Sequence, residues 1–128
     1  MIYLKLFFMF FKIGLFAFGG GYVTLPMIYQ EINRIGLMST AEFSDVVAIS
    51  QITPGPVAIN AATYVGHKTA GMMGAVAATT GVVLPSFILV MIIAAFLNRY
   101  RNSPLVDSTL LGIRPATAGM ISAAVIFF

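Results

Sequence analysis

Cysteine is absent from these 128 residues, histidine occurs once, and charged side chains make up only 9% of the chain. Without cysteine there is no disulfide, no thiolate metal site and no cysteine nucleophile. The absence says nothing about compartment, because a chain in a bilayer needs none. A single histidine, no G-x-S-x-G and no paired acidic constellation leave no machinery for intramembrane hydrolysis, so neither an enzymatic activity nor a cofactor is expected. Nor is a metal site expected: Met72 and Met73 are adjacent and point to different helix faces, and the other methionines are dispersed. Seven Lys and Arg against four acids give a formal charge of +3. These cations are scattered among apolar segments as interfacial anchors, without the clustered basic face that a nucleic-acid partner requires.

What the chain does have is apolar length. It is 59% hydrophobic with a mean hydropathy of +0.98, too apolar for a soluble globule of this size. From Ala70 to Leu97 run 28 residues without a charge, more than the roughly 20 that cross a bilayer core. An all-α, polytopic membrane protein lying in the lipid bilayer is expected, forming a single membrane domain over 1–128. Lys12 interrupts the first apolar run and no A-x-A-like site follows, so that run is expected to be retained rather than cleaved as a signal peptide.

Glycine and proline divide this length into segments. The first runs from Ile2 to about Tyr29 and is broken at Gly19-Gly20-Gly21, with Pro26 beyond; Glu31, Asn33 and Arg34 mark a polar exit. Ser39 and Thr40 offer N-cap hydroxyls for the next helix, with Glu42 in its first turn. The second segment, about 41–68, is split by Thr53-Pro54-Gly55-Pro56. Proline lacks the N–H that a helix needs and clashes with the preceding turn, so no helix runs through this knot intact. The two pieces, each about 18 Å long, are too short to span singly. They either stack end to end across the membrane or form a re-entrant hairpin. A third segment covers Ala70 to Leu97, with Pro85 as an expected kink, and a fourth runs from Leu105 to Phe128 after the hydrophilic loop Asn98–Pro104.

Charge sets orientation only under one of these alternatives. If the second segment spans, Lys5, Lys12 and Lys68 face Arg34, Arg99, Arg101 and Arg114, which is no bias and permits dual topology. If it is re-entrant, Arg34 and Lys68 oppose Lys5, Lys12, Arg99, Arg101 and Arg114, and orientation becomes definite.

Backbone freed by a break in hydrocarbon must be buried in protein or line a wet cavity, which is where discontinuous helices build substrate sites. A helix starting at Pro56 puts Asn60, Thr63, Tyr64 and His67 at i, i+3, i+4 and i+7, a polar stripe descending from the break. The plainer reading of such a stripe is interhelical hydrogen bonding. The glycine triplet, followed by Thr24, offers a second half-site. Its plainer reading is close helix packing. A helix N-terminus carries about +0.5 charge and orphan N–H donors, so two facing half-helix starts form an oxyanion site without a buried lysine. Among ionisable residues near apolar sequence, Asp45 lies deepest and is the candidate for proton coupling, with His67 as a second.

Three stretches together resemble the chromate transporter family: Phe18-Gly19-Gly20-Gly21-Tyr22-Val23-Thr24-Leu25-Pro26-Met27, Gln51-Ile52-Thr53-Pro54-Gly55-Pro56 and Gly112-Ile113-Arg114-Pro115-Ala116. More narrowly the chain is similar to the short-chain members, each corresponding to one half of the long two-domain proteins. The resemblance implies a multi-pass cytoplasmic-membrane protein that exports chromate, a tetrahedral dianion like sulfate, at the expense of the proton-motive force. It also implies pairing, as a homodimer or with a short-chain partner of opposite orientation. Two departures stand out: Gly21 occupies a place where chromate-resistance members often have proline, and the chain ends before the final spans of a complete family domain. A fragment and a minimal half-transporter both fit that length.

The expected substrate contacts are backbone N–H groups at Gly20, Gly21, Gly55 and Val57 and hydrogen bonds from Thr24, Thr53 and Asn60, with Lys68 or Arg114 supplying long-range positive potential. The alternatives are a noncatalytic assembly subunit and a transporter of another anion. A steering role makes a salt-dependent prediction. Lys68→Gln should lower apparent anion affinity more at low than at high ionic strength, because salt already screens interfacial charge. Flux titrations at two salt concentrations with the same loss would remove Lys68 from that role.

Overall fold

A computed structural model describes residues 1–17 and 21–128. Among the described residues there are only helices and turns: α1 (Ile2–Phe16), a 3-10 turn (Gly21–Val23), α2 (Thr24–Ile35), α3 (Thr40–Ile52), α4 (Val57–Arg99) and α5 (Pro104–Phe127). The backbone of α4 breaks at Ala70 and Gly71, where Gly71 takes φ +69° and ψ −155°, a conformation essentially reserved for glycine. The break separates an arm of 57–69 from one of 72–99, as the expected boundary between the second and third segments requires. Internal contacts divide the chain into two units, Met1–Leu89 and Val90–Phe128.

Local chemistry explains the helix ends. The N–H of Gly36, in the left-handed region at φ +72°, donates to the Asn33 and Ile32 carbonyls, and that of Leu37 reaches back to Ile32 at 3.1 Å, closing α2 in a Schellman motif. The helix therefore carries on through Glu31, Asn33 and Arg34, six residues past the Tyr29 end expected from the polar exit. At the start of α3, Glu42 N–H donates to Ser39 Oγ and Ser39 N–H donates to the Glu42 carboxylate at 2.9 Å, the capping box the sequence announces. Such a cap stabilises a helix by about 1 kcal/mol. Dihedrals stay helical through Pro85, where a kink is expected; the ring is buried, and a Cβ on Gly14 would lie 3.2 Å from it.

In the first unit α1 and α2 are antiparallel, joined across by Lys12 Nζ to Glu31 at 3.0 Å. α2 returns to α3 through the turn at 36–39, where the Tyr29 and Phe43 rings meet at 5.0 Å. α3 and the 57–69 arm also run antiparallel: Glu42 pairs with Lys68 at 3.4 Å at one end, and Asn60 reaches Thr53 at the other. The pieces on either side of the proline knot thus fold back on each other rather than stacking end to end. The proline knot consequently lies at the end of the unit away from the 36–39 turn. The same pairing places Lys5 and Lys12 with Glu31 and Arg34 around one cavity, which corrects the assignment of these lysines to the side opposite Arg34. Because α1 and α2 run antiparallel, the start of the one and the end of the other share a side.

The core draws on every element of this unit, with Leu6, Phe10, Ile13, Ile28, Ile32, Phe43, Val46, Ala62, Val65, Ala78 and Val82 buried together. Glycine sets the spacing. Gly66 and Gly74 face each other across the α4 arms so closely that a Cβ on either would collide with the other's carbonyl, and a Cβ on Gly81 would sit 2.5 Å from the Phe7 carbonyl oxygen. Small residues in apolar helices permit this approach, and close packing substitutes for the hydrophobic drive that lipid does not provide. In the second unit the α4 end turns at Tyr100–Ser103, Ser103 N–H donating to Tyr100 at 2.9 Å, and Pro104 begins α5, none of whose residues is buried.

Gly66→Leu should cost about 1–3 kcal/mol or more, since the added side chain meets backbone and the Ala78 methyl rather than a yielding side chain. Gly119→Ala, where a Cβ meets nothing within 4 Å, should be neutral or raise stability slightly. Thermal unfolding in detergent followed by circular dichroism compares them, and equal midpoints would contradict the packing described.

Candidate functional site

Pro54 creates the local problem from which the site is built. A helical Ser50 carbonyl would accept from the N–H four residues on, and at Pro54 there is none. Asn60 fills the gap. Its Nδ2 donates to the Ser50 carbonyl at 3.3 Å and to the Thr53 carbonyl at 2.9 Å, so one side chain closes the C-terminal end of α3. Thr53 adds a second closure, its N–H and hydroxyl donating to Ile49 at 3.0 and 2.7 Å. Gly55, at φ +137°, turns the chain where a side chain would be strained, and a Cβ there would lie 3.4 Å from the Asn60 Oδ1.

The arm then starts with Pro56 as its cap, one residue earlier than a first helical position. The Pro56 carbonyl accepts from the Ile59 and Asn60 N–H groups at 3.0 Å each. The first donors of a helix have no intrahelical acceptor, and Val57 and Ala58 are those donors here. Their N–H groups mark the positive end of the arm.

Below this end opens a cleft of ≈ 360 Å³ lined by Thr53, Asn60, Thr63, Tyr64 and His67, together with Ile49, Met72 and Ala75. All four residues of the expected polar stripe line it. Thr63 also bridges the two arms of α4, its hydroxyl 2.7 Å from that of Thr79, so the plainer reading of the stripe is realised at that residue. Ile49 and Ala75 complete the wall because α3 and the 72–99 arm flank the stripe, a placement that no helical period encodes.

The other expected residues lie elsewhere. Thr24 is fully buried at the start of α2 and donates to the Gly21 carbonyl at 2.7 Å; Gly21 itself is exposed at φ +69°, and Gly20 falls outside the described residues. Asp45 is exposed on α3 and does not line the cleft. Lys68 lies at the opposite end of its arm from the break, paired with Glu42, and the carboxylate attenuates its field. Arg114 is exposed in α5, in the second unit.

Against this geometry, a family profile described as Chromate transporter matches residues 4–128. The chain belongs to the chromate transporter family. Members of this family are transport proteins rather than enzymes. The chain is 33% identical over 122 residues to "Uncharacterized transporter YwrA" of Bacillus subtilis, covering 94% of this chain and 68% of that one. It is 32% identical over 116 residues to "Chromate transport protein" of Cupriavidus metallidurans and 35% identical over 115 residues to a protein of the same description from Pseudomonas aeruginosa. Those alignments cover 90% of this chain but only 29% and 27% of the longer relatives. No solved structure matches. Among the described residues two helices, Val57–Arg99 and Pro104–Phe127, are long and apolar enough to cross a membrane, in keeping with a family of membrane proteins.

Removing the Asn60 amide should be felt in stability first. Asn60→Leu leaves the Ser50 carbonyl without its donor and should cost about 1–3 kcal/mol. Asn60→Asp sets a carboxylate against two carbonyls and should be worse at high pH than at low. That environment raises its folded-state pKa, so the protonated form, which regains one donor, is favoured as pH falls. Unfolding midpoints across a pH series report this, and an Asn60→Asp midpoint that rises with pH would refute the capping role.

Proposed function

We propose that this member of the chromate transporter family carries a tetrahedral oxyanion, chromate in the first place and sulfate as a second substrate, and that the anion binds at the Thr53–Asn60 break. One observation carries the proposal: every polar side chain of the stripe borders a single cleft that also takes in Thr53 at the break. Anion binding at a helix N-terminus uses the partial positive charge and unshared N–H groups found there. Val57 and the neighbouring N–H supply donors, Gly55 lets the backbone approach, and the Thr53 and Thr63 hydroxyls join the shell by releasing the Ile49 and Ile59 carbonyls to which they otherwise donate. Asn60 holds the break in shape, since both of its donors are engaged with α3.

The printed descriptions of the longer relatives, "Chromate transport protein", support chromate as the anion. In this reading transport is efflux across the cytoplasmic membrane by a multi-pass protein, coupled to protons through His67 on the cleft wall, with Asp45 as the second candidate. On the same reading the antiparallel pairs α1–α2 and α3 with the 57–69 arm enter the bilayer from one face; α1, α2 and α3, of 12–15 residues, are each shorter than a bilayer core. A homodimer or a paired short-chain partner of opposite orientation supplies the rest of the pathway, which agrees with a chain spanning under a third of the long relatives.

Reconstitution of this chain in proteoliposomes, with radiolabelled chromate and an imposed pH gradient, tests the proposal. Gradient-stimulated uptake that excess sulfate reduces, and that Thr53→Val lowers severalfold, is the expected result. Uptake indifferent to the gradient would remove proton coupling, and uptake unaffected by Thr53→Val would move the anion away from the break.

A further inference from the structure

The first unit contains a second cavity, of ≈ 390 Å³, between α1 and α2. Its α1 wall is a single helical stripe: Lys5, Phe8, Met9 and Lys12 fall at i, i+3, i+4 and i+7, so two lysines bracket an apolar patch. α2 contributes Glu31, Arg34 and Ile35 with the same spacing. The Glu31 carboxylate is nearly buried, at 16% exposure, and bridges Lys12 at 3.0 Å and Arg34 at 3.2 Å. Two cations thus share one carboxylate, and Lys5 adds a third to the cavity wall. Lys12 and Arg34 remain 54% and 70% exposed, so both can turn a donor outward while keeping Glu31.

We infer that this cavity binds an anionic phospholipid. The phosphodiester is held by Lys5, Lys12 and Arg34, and the upper acyl chains lie on Phe8, Met9 and Ile35. A free inorganic anion gains nothing from the apolar floor, which makes up most of the cavity wall. A zwitterionic headgroup brings its own cation to a rim that repels it. Only an occupant with a negative head and an apolar tail satisfies both parts. Basic pockets at the membrane surface hold anionic headgroups in this way, each Lys or Arg adding about 1 kcal/mol. The site is independent of the oxyanion reading and rests only on the chain lying in a membrane.

Native mass spectrometry of the detergent-solubilised chain, titrated with phosphatidylglycerol or phosphatidylcholine of identical acyl chains, tests it. Phosphatidylglycerol should be retained roughly tenfold more than phosphatidylcholine. A Lys5→Gln, Arg34→Gln double variant should bring it down to the phosphatidylcholine level, and Lys5→Arg should preserve it because the charge is kept. Should the double variant fail to fold, Lys5→Gln alone, which leaves the Glu31 bridges in place, should lower retention about fivefold. Equal retention of the two lipids, or retention indifferent to these charges, overturns the inference. So does displacement of phosphatidylglycerol by millimolar sulfate or glycerol phosphate, which would make this a site for free anions.

Discussion

The first unit depends on finding a partner for each backbone group that its breaks set free. In water an orphan carbonyl bonds solvent at little cost; in a hydrocarbon environment an unsatisfied group costs several kcal/mol. Pro54 makes one such orphan at Ser50, and the Asn60 side chain answers it from the following helix. Because that donor comes from six residues beyond the proline, the bond fixes how the chain returns: the 57–69 arm must lie beside α3 for Asn60 to reach. The Glu42–Lys68 pair at the far end is then a consequence of the same antiparallel register. Exposed ion pairs contribute only about 0–1 kcal/mol, so it does not set that register.

Close packing makes the arrangement compact enough to leave a cleft rather than a gap. Gly66 against Gly74, and Gly14 and Gly81 between α1 and the 72–99 arm, bring helices together at backbone distance. Where the helices touch through glycine, larger side chains on either side are forced outward. Thr63, Tyr64 and His67 point away from the buried line of Ala62, Val65 and Gly66 and so meet the cleft. The polar stripe thus faces a cleft whose remaining wall is Ile49, Thr53, Met72 and Ala75.

Much of this was legible in the sequence where a local rule decides. Proline and glycine place the breaks, the Ser39–Glu42 spacing gives the α3 start, and the period of 3.6 puts Asn60, Thr63, Tyr64 and His67 on one face. What was not legible concerns which faces meet. Helical periodicity groups residues but does not choose their partners, so it sets Lys5 and Lys12 opposite Arg34 although α1 and α2 lie antiparallel and all three residues line one cavity. Hydrophobicity could not correct this, because in a membrane chain lipid-facing and core-facing residues are equally apolar. Asn60 shows the same limit within one residue. Its position at the break was readable; that its donors point back to α3 depends on a fold that composition does not carry.

The electrostatics of the break follow from this orientation of Asn60. A hairpin tip joins the C-terminal end of one helix, with its partial negative charge, to the N-terminal end of the next, with its partial positive charge. Left open, the two would nearly cancel for an anion placed between them. In this tip the α3 end is covered: Ile49 accepts from Thr53, and Ser50 and Thr53 accept from Asn60. The N-terminal donors of the 57–69 arm have no such cover. Capping one end and not the other leaves a net positive potential at the tip without any charged side chain on it, and a neutral amide is what establishes the difference. A lysine in place of Asn60 would cap carbonyls equally well, but it would hold a dianion too tightly to release. On the proposed oxyanion reading, an amide keeps the site attractive without a fixed charge, as a carrier that must both load and discharge requires.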